Sequence, residues 1–215
     1  MNIHIRNARR EDALFLARSI LIAGRAHVKK GIWEMILGLP EEQCFLFLQS
    51  IAITDPPHLF HYSCYFIAET SDKTPAGSLG GYNPKLMGYQ ALQQAISAVY
   101  KKLQLPEKIS CEVNDRAARI MACLPKELDN TWVIDSVATL PEYRGRGIAE
   151  SLLCQVLDEG KKQGNKLSQV NMYIGNEPAL RLYLKMGFAI VEERRDKYFE
   201  ENIGSPGMLS LVKQL

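Results

Sequence analysis

No two cysteines in this chain stand at the spacing of a metal clip or a redox pair. The five present, Cys44, Cys64, Cys111, Cys123 and Cys154, are odd in number and scattered. That excludes a disulfide scaffold and predicts reduced thiols packed in a core. Long apolar runs are also missing, because the longest, CFLFLQSIAI, is too short and too interrupted to span a bilayer. The opening MNIHIRNARRED carries charge too early for a secretory signal. An excess of one charge is missing as well: 26 basic against 24 acidic residues leave a formal +2. A chain built to coat nucleic acid is more lopsided, so any anion binding is local. The expectation is a cytoplasmic protein with neither a nucleic-acid nor a membrane partner.

What is present is ordinary globular composition in 215 residues, enough for one sizeable domain. IHIRNA reads as a first strand, followed by a helix in which Leu14, Ala17, Ile20, Leu21 and Gly24 stand at helical spacing. Residues 31–53 hold further helical matter, which TDPPH stops. YSCYFIAE and AGSLGGY suggest a hairpin. Residues 83–130 show no strand signal. One helix is marked there by Leu86, Tyr89, Leu92, Ile96, Val99, Tyr100 and Leu103, and a second by Ala117, Ile120, Met121 and Leu124. TWVIDSVAT is a β-branched strand, LSQVNMYI another, and FAIVEERR and PGMLSLVK close the chain. With no repeat and no linker, residues 1–215 read as one α+β domain.

The stretch SVATLPEYRGRGIAESLL runs from a strand through a glycine-rich turn into a helix, an arrangement that presents backbone N–H groups to a phosphate. Gly145 and Gly147 permit the tight path, and Arg144 and Arg146 supply guanidinium forks for phosphate oxygens. Ala149 is small where a ligand or strand comes close. Behind it, Ile148, Leu152, Val156 and Ala149, Leu153, Leu157 form two adjacent i,i+4 rows that face a core. The P-loop pattern is absent, and the dinucleotide fingerprint fails at its third glycine, where Glu150 stands. Farther on, NEPALRLYLKMGF has Asn176 as a cap, Pro178 in the first turn and Gly187 at the end. Asn176 and Tyr183 are seven apart, about two turns, so they share one side of that helix.

YRGRGIA contains (Q/R)xxGx(G/A) as Arg144, Gly147 and Ala149, and this closely resembles the pyrophosphate loop of the GNAT N-acetyltransferases. VATLPEY resembles that family's approach to the loop, and NEPALRLYLKMGF is similar to its N..A..LYxKxGF segment. The resemblance covers residues 131–212 well and reaches the first strand, first helix and hairpin only through order and pattern. It implies a central mixed sheet of six to seven strands flanked by helices. It implies acetyl-coenzyme A as cosubstrate, without a metal, and a primary amine of a small molecule or peptide as acceptor. Arg144, Gly145, Arg146, Gly147, Ile148 and Ala149 are thereby assigned to the pyrophosphate. Val137, Ala138 and Thr139 are assigned to the pantetheine, on a strand expected to splay from its neighbour, and Asn176 to the pantetheine or phosphate region. Tyr183 is implied as the acid that protonates the departing thiolate, and a backbone N–H near Val137 as an oxyanion donor.

The family offers no single base position. Asp135 on the same strand is nominated, with Glu69 on the hairpin as second choice. His58, His61 and Cys64 recur every third residue, but they lack a fourth ligand and carry no metal assignment. In the family the strands flanking residues 83–130 are joined by a short turn. The 48 residues here predict a helical insertion between the third and fourth strands, walling the acceptor cleft or making a homodimer contact. Residues 26–61, with Trp33, are the other expected wall. The rival from another class is a coenzyme-binding sensor without turnover, which would keep the cradle and lack a working acid.

Overall fold

The computed structural model describes residues 2–215. Strands β1 (Ile3–Asn7), β2 (Tyr65–Thr70), β3 (Pro75–Tyr82), β4 (Thr131–Thr139), β5 (Leu167–Tyr173), β6 (Ala189–Arg195) and β7 (Gly207–Gln214) form one mixed sheet. Its order is β1-β2-β3-β4-β5-β7-β6, so the last strand inserts between the two before it. Only β4 and β5 run parallel, joined by the crossover helix α7 (Ile148–Lys162). Among the described residues the other helices are α1 (Ala13–Arg25), α2 (Ile32–Leu37), α3 (Glu41–Ile51), α4 (Pro84–Met87), α5 (Tyr89–Lys102), α6 (Glu107–Met121), α8 (Glu177–Lys185) and α9 (Lys197–Ile203).

Both faces of the sheet are covered, and β2 shows why its sequence reads as an unbroken apolar run. Tyr65 and Ile67 pack with α1, α3 and α5 on one face, while Phe66 and Ala68 pack with α7 on the other. On α7 the buried stripe is Ile148, Leu152, Leu153, Val156 and Leu157, each contributing about 1.5–3 kcal/mol by transfer from water. Gly160 lets this helix lie directly on Trp132 of β4, where an added Cβ would come within 2.5 Å of the indole. Lys161 and Lys162 stand in the last turn, and Gly164 follows at φ +81.

Residues 83–130 are the expected helical insertion, but with three helices rather than two. The row read from Leu86 to Leu103 breaks at Gly88, whose backbone is extended and approaches Pro84 so closely that a Cβ there would meet the Pro84 carbonyl at 2.3 Å. Leu86 is consequently exposed. Leu14, counted on the apolar row of α1, is exposed as well, because Leu16, Ala17, Ile20 and Leu21 fill the face that meets the core. The thiols divide: Cys44, Cys64 and Cys123 are buried as expected, whereas Cys111 and Cys154 are exposed.

The insertion is tied down. Arg116 of α6 donates from Nε to the Ile36 carbonyl at 2.9 Å and from Nη2 to the Leu37 carbonyl at 2.8 Å, placing its charge at the C-terminal end of α2. The Tyr173 hydroxyl of β5 donates to the Gly24 carbonyl at 2.7 Å and accepts from the Ile32 N–H at 3.1 Å, fixing α1 and α2 against the sheet.

His58 is fully buried, with Nε2 against Thr54 Oγ1 at 2.8 Å and the Ile51 carbonyl at 3.1 Å. Burial pushes its pKa down from 6.5 to about 4. Between those values the unfolded chain binds a proton here that the folded chain does not, so stability is lost as pH falls through that window. The loss between pH 7 and pH 5 is about 2 kcal/mol. A His58→Gln variant should show a shallower fall in urea midpoint over that range than the parent. Equal slopes would contradict a neutral buried imidazole.

Candidate active site

The site begins where β4 leaves β5. The two strands pair from Thr131–Leu167 to Ile134–Val170 and no farther, while β5 continues along β7 to Tyr173. On its other side β4 pairs Asp135 with Gly80 and Ala138 with Ser78, three steps against two, so it carries one extra residue. Ser136 takes up that residue at φ +51, a backbone conformation costing about 1 kcal/mol or more for a non-glycine. The bulge bends β4 away from β5 and opens a wedge between them.

Beyond the wedge the chain turns through Pro141–Tyr143 and enters α7 by way of Gly145 at φ +74 and Gly147 at φ +77. A Cβ added to either glycine would meet nothing within 4 Å. The backbone path demands glycine there, and the turn faces open space. The first N–H groups of α7 lack helical acceptors and point into that space with the positive end of the helix dipole. Arg144 Nε donates to the Thr139 carbonyl at 3.3 Å, and the Arg146 guanidinium lies 5.7 Å from the centre of the Tyr143 ring. Two exposed cations therefore flank the turn. This donor set suits a pyrophosphate.

Helix α8 forms the opposite lip. Asn176 caps it, Oδ1 accepting from the Ala179 N–H at 3.4 Å, and Lys185 pairs with Glu150 of α7 at 2.7 Å. Tyr183 is buried, edge-on to Phe188 at 5.8 Å. Burial first, and the charge of Asp135 second, push its phenol well above the usual value, so it is protonated at neutral pH.

A cavity of about 1550 Å³ connects these parts. Asp135, Val137, Ala138, Thr139, Arg144, Ala149, Asn176 and Tyr183 all line it. Gly145, Arg146 and Gly147 stand outside at its mouth, exposed. The Ile148 side chain is in the core, leaving only its backbone N–H for a ligand. The cavity's far wall is made by α2, α5 and α6 together with Phe60, so both segments expected as walls are on it.

Asp135 is half-buried, with Oδ1 accepting from Ser136 Oγ at 2.7 Å, and desolvation holds its carboxyl above the usual range. Glu69 is elsewhere. It is held by Arg6 at 2.8 Å and does not line the cavity, which removes the second choice of base. Glu127, which the sequence reading passed over, does line it. Its Oε1 accepts from the Tyr82 hydroxyl at 2.5 Å, and burial, with Asp135 adding, raises its pKa. Among the described residues no group of three or more His, Cys, Asp or Glu side chains is placed to hold a metal. Cys64 instead donates to the His58 carbonyl at 3.3 Å, and its thiol is pushed up to about 12 by burial.

Residues 40–188 match the profile of the acetyltransferase (GNAT) family, well over half of the chain, and the chain belongs to that family. Its members are acetyltransferases that take acetyl-coenzyme A as cosubstrate and act on amine acceptors. A stretch of 115 residues is 26% identical to an uncharacterised N-acetyltransferase of Methanocaldococcus jannaschii. It covers 49% of this chain and 44% of that protein, so the match spans less than half of the relative's length. Among solved structures, an acetyltransferase superposes with TM-score 0.70 at 22% identity, covering 98% of both chains. An N-acetyltransferase from Staphylococcus aureus Mu50 gives 0.67 at 24%, covering 98% of this chain and 100% of its own. A putative acetyltransferase from Salmonella typhimurium, solved with acetyl-coenzyme A, gives 0.54 at 14% over 100% and 95%. At these identities the likeness is one of fold.

A Gly147→Ala change tests the cradle. The positive φ costs about 1 kcal/mol of stability, with no clash inside the protein to add to it. Coenzyme A affinity, measured by calorimetric titration, should fall tenfold or more. Unchanged affinity would contradict close approach of the ligand to this turn.

Proposed function

We propose that this chain is an acetyl-coenzyme A-dependent N-acetyltransferase, with residues 1–215 acting as one catalytic domain on the primary amine of a small molecule or peptide. The observation that carries the reading is a single one: Arg144 and Ala149 at the two ends of the glycine turn, the bulged end of β4 and the buried Tyr183 meet on one cavity that continues past them. The turn and the α7 N-terminus take the pyrophosphate, with Arg144 and Arg146 beside it. The pantetheine lies along Val137, Ala138 and Thr139, whose edge toward β5 the wedge leaves unpaired. A sensor would need the cradle and no second chamber, so the space beyond Tyr183 speaks for an acceptor. Among the described residues no helix is long and apolar enough to cross a membrane, and we place the reaction in the cytoplasm.

The chemistry is direct attack. The amine nitrogen bonds to the acetyl carbonyl carbon, the carbon–sulfur bond breaks, and one N–H proton ends on sulfur. A backbone N–H near Val137 stabilises the oxyanion between these events. Asp135 takes the proton whose loss turns the acceptor's ammonium into the attacking amine, and its raised pKa makes it a better base than an ordinary carboxylate. The second N–H proton, lost as the amide forms, replaces the one that Tyr183 gives to the sulfur. Tyr183 donates a hydrogen bond to the sulfur as charge develops there. A phenol so far above the usual range is reluctant to part with its proton, but Asp135's charge is one cause of that reluctance. Burial is the larger cause and remains, so protonation of Asp135 by the acceptor brings the phenol only part of the way down as the sulfur needs a proton. Base and acid are thus coupled.

Tyr183→Phe should lower kcat about a hundredfold, within the range of general acid catalysis, and leave the KM for acetyl-coenzyme A unchanged. Thiol release measured with saturating amine checks this, and full turnover by the variant would end the acid assignment. Because the base works deprotonated, kcat/KM should rise with pH through a value above the usual carboxylate range. Asp135→Asn should lose that limb, and retention of the limb would exclude Asp135 as the base.

A further inference from the structure

The cavity does not end at Tyr183. Beyond it the walls are Ile32, Trp33 and Ile36 of α2, Leu92 and Ile96 of α5, and Ala117 of α6. These side chains are apolar; Arg116 pins α6 to α2, and Tyr173 pins α2 to the sheet. The chamber is therefore built rather than left over. At the junction of its apolar part with the bulge of β4 stand Asp135 and Glu127. Each carboxylate accepts a single side-chain hydroxyl, from Ser136 and Tyr82, and among the described residues neither is in an ion pair. Two half-buried carboxylates without a cation carry a desolvation cost, and a cation brought by a ligand offsets it. Farther along the wall, the Tyr100 hydroxyl is buried without a hydrogen-bond partner among the described residues, a second sign of a missing occupant.

Resting on the acetyltransferase reading, we infer that the acceptor is an amine with a single cationic head and a bulky, mainly apolar body. The head sits between Glu127 and Asp135, and the body lies in the chamber made by α2 and the insertion helices. A polycation is disfavoured because beyond these two carboxylates the chamber offers its further charges no acid, and Lys101 stands at its lining. A small hydrophilic amine would leave the apolar wall wet. Glu127 has a different task from Asp135: it holds the ammonium beside the base and does not take the proton. Helix α2, which precedes the stretch matching the family profile, and helices α5 and α6 between β3 and β4 thus set which amine is used.

The test uses the full chain with 2-phenylethylamine, ethanolamine and spermidine as probes. Thiol release from acetyl-coenzyme A is followed, and binding of each amine is measured calorimetrically with coenzyme A present. We expect kcat/KM for 2-phenylethylamine at least a hundredfold above that for the other two, with binding in the same order. Glu127→Gln should raise the amine KM tenfold or more and leave the KM for acetyl-coenzyme A unchanged. Ala117→Phe, which narrows the chamber, should weaken 2-phenylethylamine and spare ethanolamine. Equal or better use of spermidine or ethanolamine overturns the inference, as does a Glu127→Gln variant with parental amine KM. Absence of thiol release with every amine would count against the acetyltransferase reading itself. The binding arm still decides the chamber in that case: Glu127-dependent binding of 2-phenylethylamine supports it, and no binding overturns it.

Discussion

The parting of β4 from β5 is the constraint on which the rest of this structure depends. A parallel pair that stayed zipped to its end would leave no backbone group free and no gap to fill. Here pairing stops at Ile134 and Val170, because β4 must absorb one extra residue against β3 and does so at Ser136 with a positive φ. The cost of that conformation is borne by a sheet buried on both faces, in which α7 lies directly on Trp132 through Gly160. One local distortion, held by a well-packed surround, leaves a strand end with an unpaired edge and puts Asp135 on the same cavity.

Electrostatics follow from that geometry in two opposed halves. At the mouth, the α7 N-terminus, Arg144 and Arg146 make the turn positive, and solvent reaches it freely. Inside, Asp135 and Glu127 are negative and half-buried, and burial first, with Asp135's charge after it, raises the pKa of both Glu127 and Tyr183. On the proposed reading, an anionic coenzyme and a cationic acceptor are drawn to different ends of one cavity.

The glycine turn, the Asn176 cap and the Tyr183 face were legible in the sequence because each obeys a local rule. A positive φ needs Gly145 and Gly147, an N-terminal cap needs a side chain like Asn176, and a spacing of seven keeps two residues on one helix face. The insertion of helices over residues 83–130 was legible for the same kind of reason, through periodicity. What escaped was decided by contacts between distant segments. Ser136 looks like any strand residue, because a bulge is a matter of register against β3. Glu127 sits in the charged loop between α6 and β4 and reads as a solvated residue; only the fold brings Tyr82 to it. The break at Gly88 comes from the close approach to Pro84. The seating of β7 between β5 and β6 is a question of pairing that no single segment announces. α9 is bounded by local features of the same kind: Asp196 accepts from the Phe199 N–H at 2.7 Å, and Gly204 closes the helix at φ +87.

The most direct measurement is a crystal structure of this chain with coenzyme A. The pyrophosphate should lie within hydrogen-bonding distance of the backbone N–H groups from Arg144 to Ala149. The pantetheine should run along Val137 to Thr139 in the wedge beside β5, with the sulfur near Tyr183. A coenzyme bound with its pyrophosphate away from the glycine turn, or a wedge closed by pairing of β4 with β5, would contradict it.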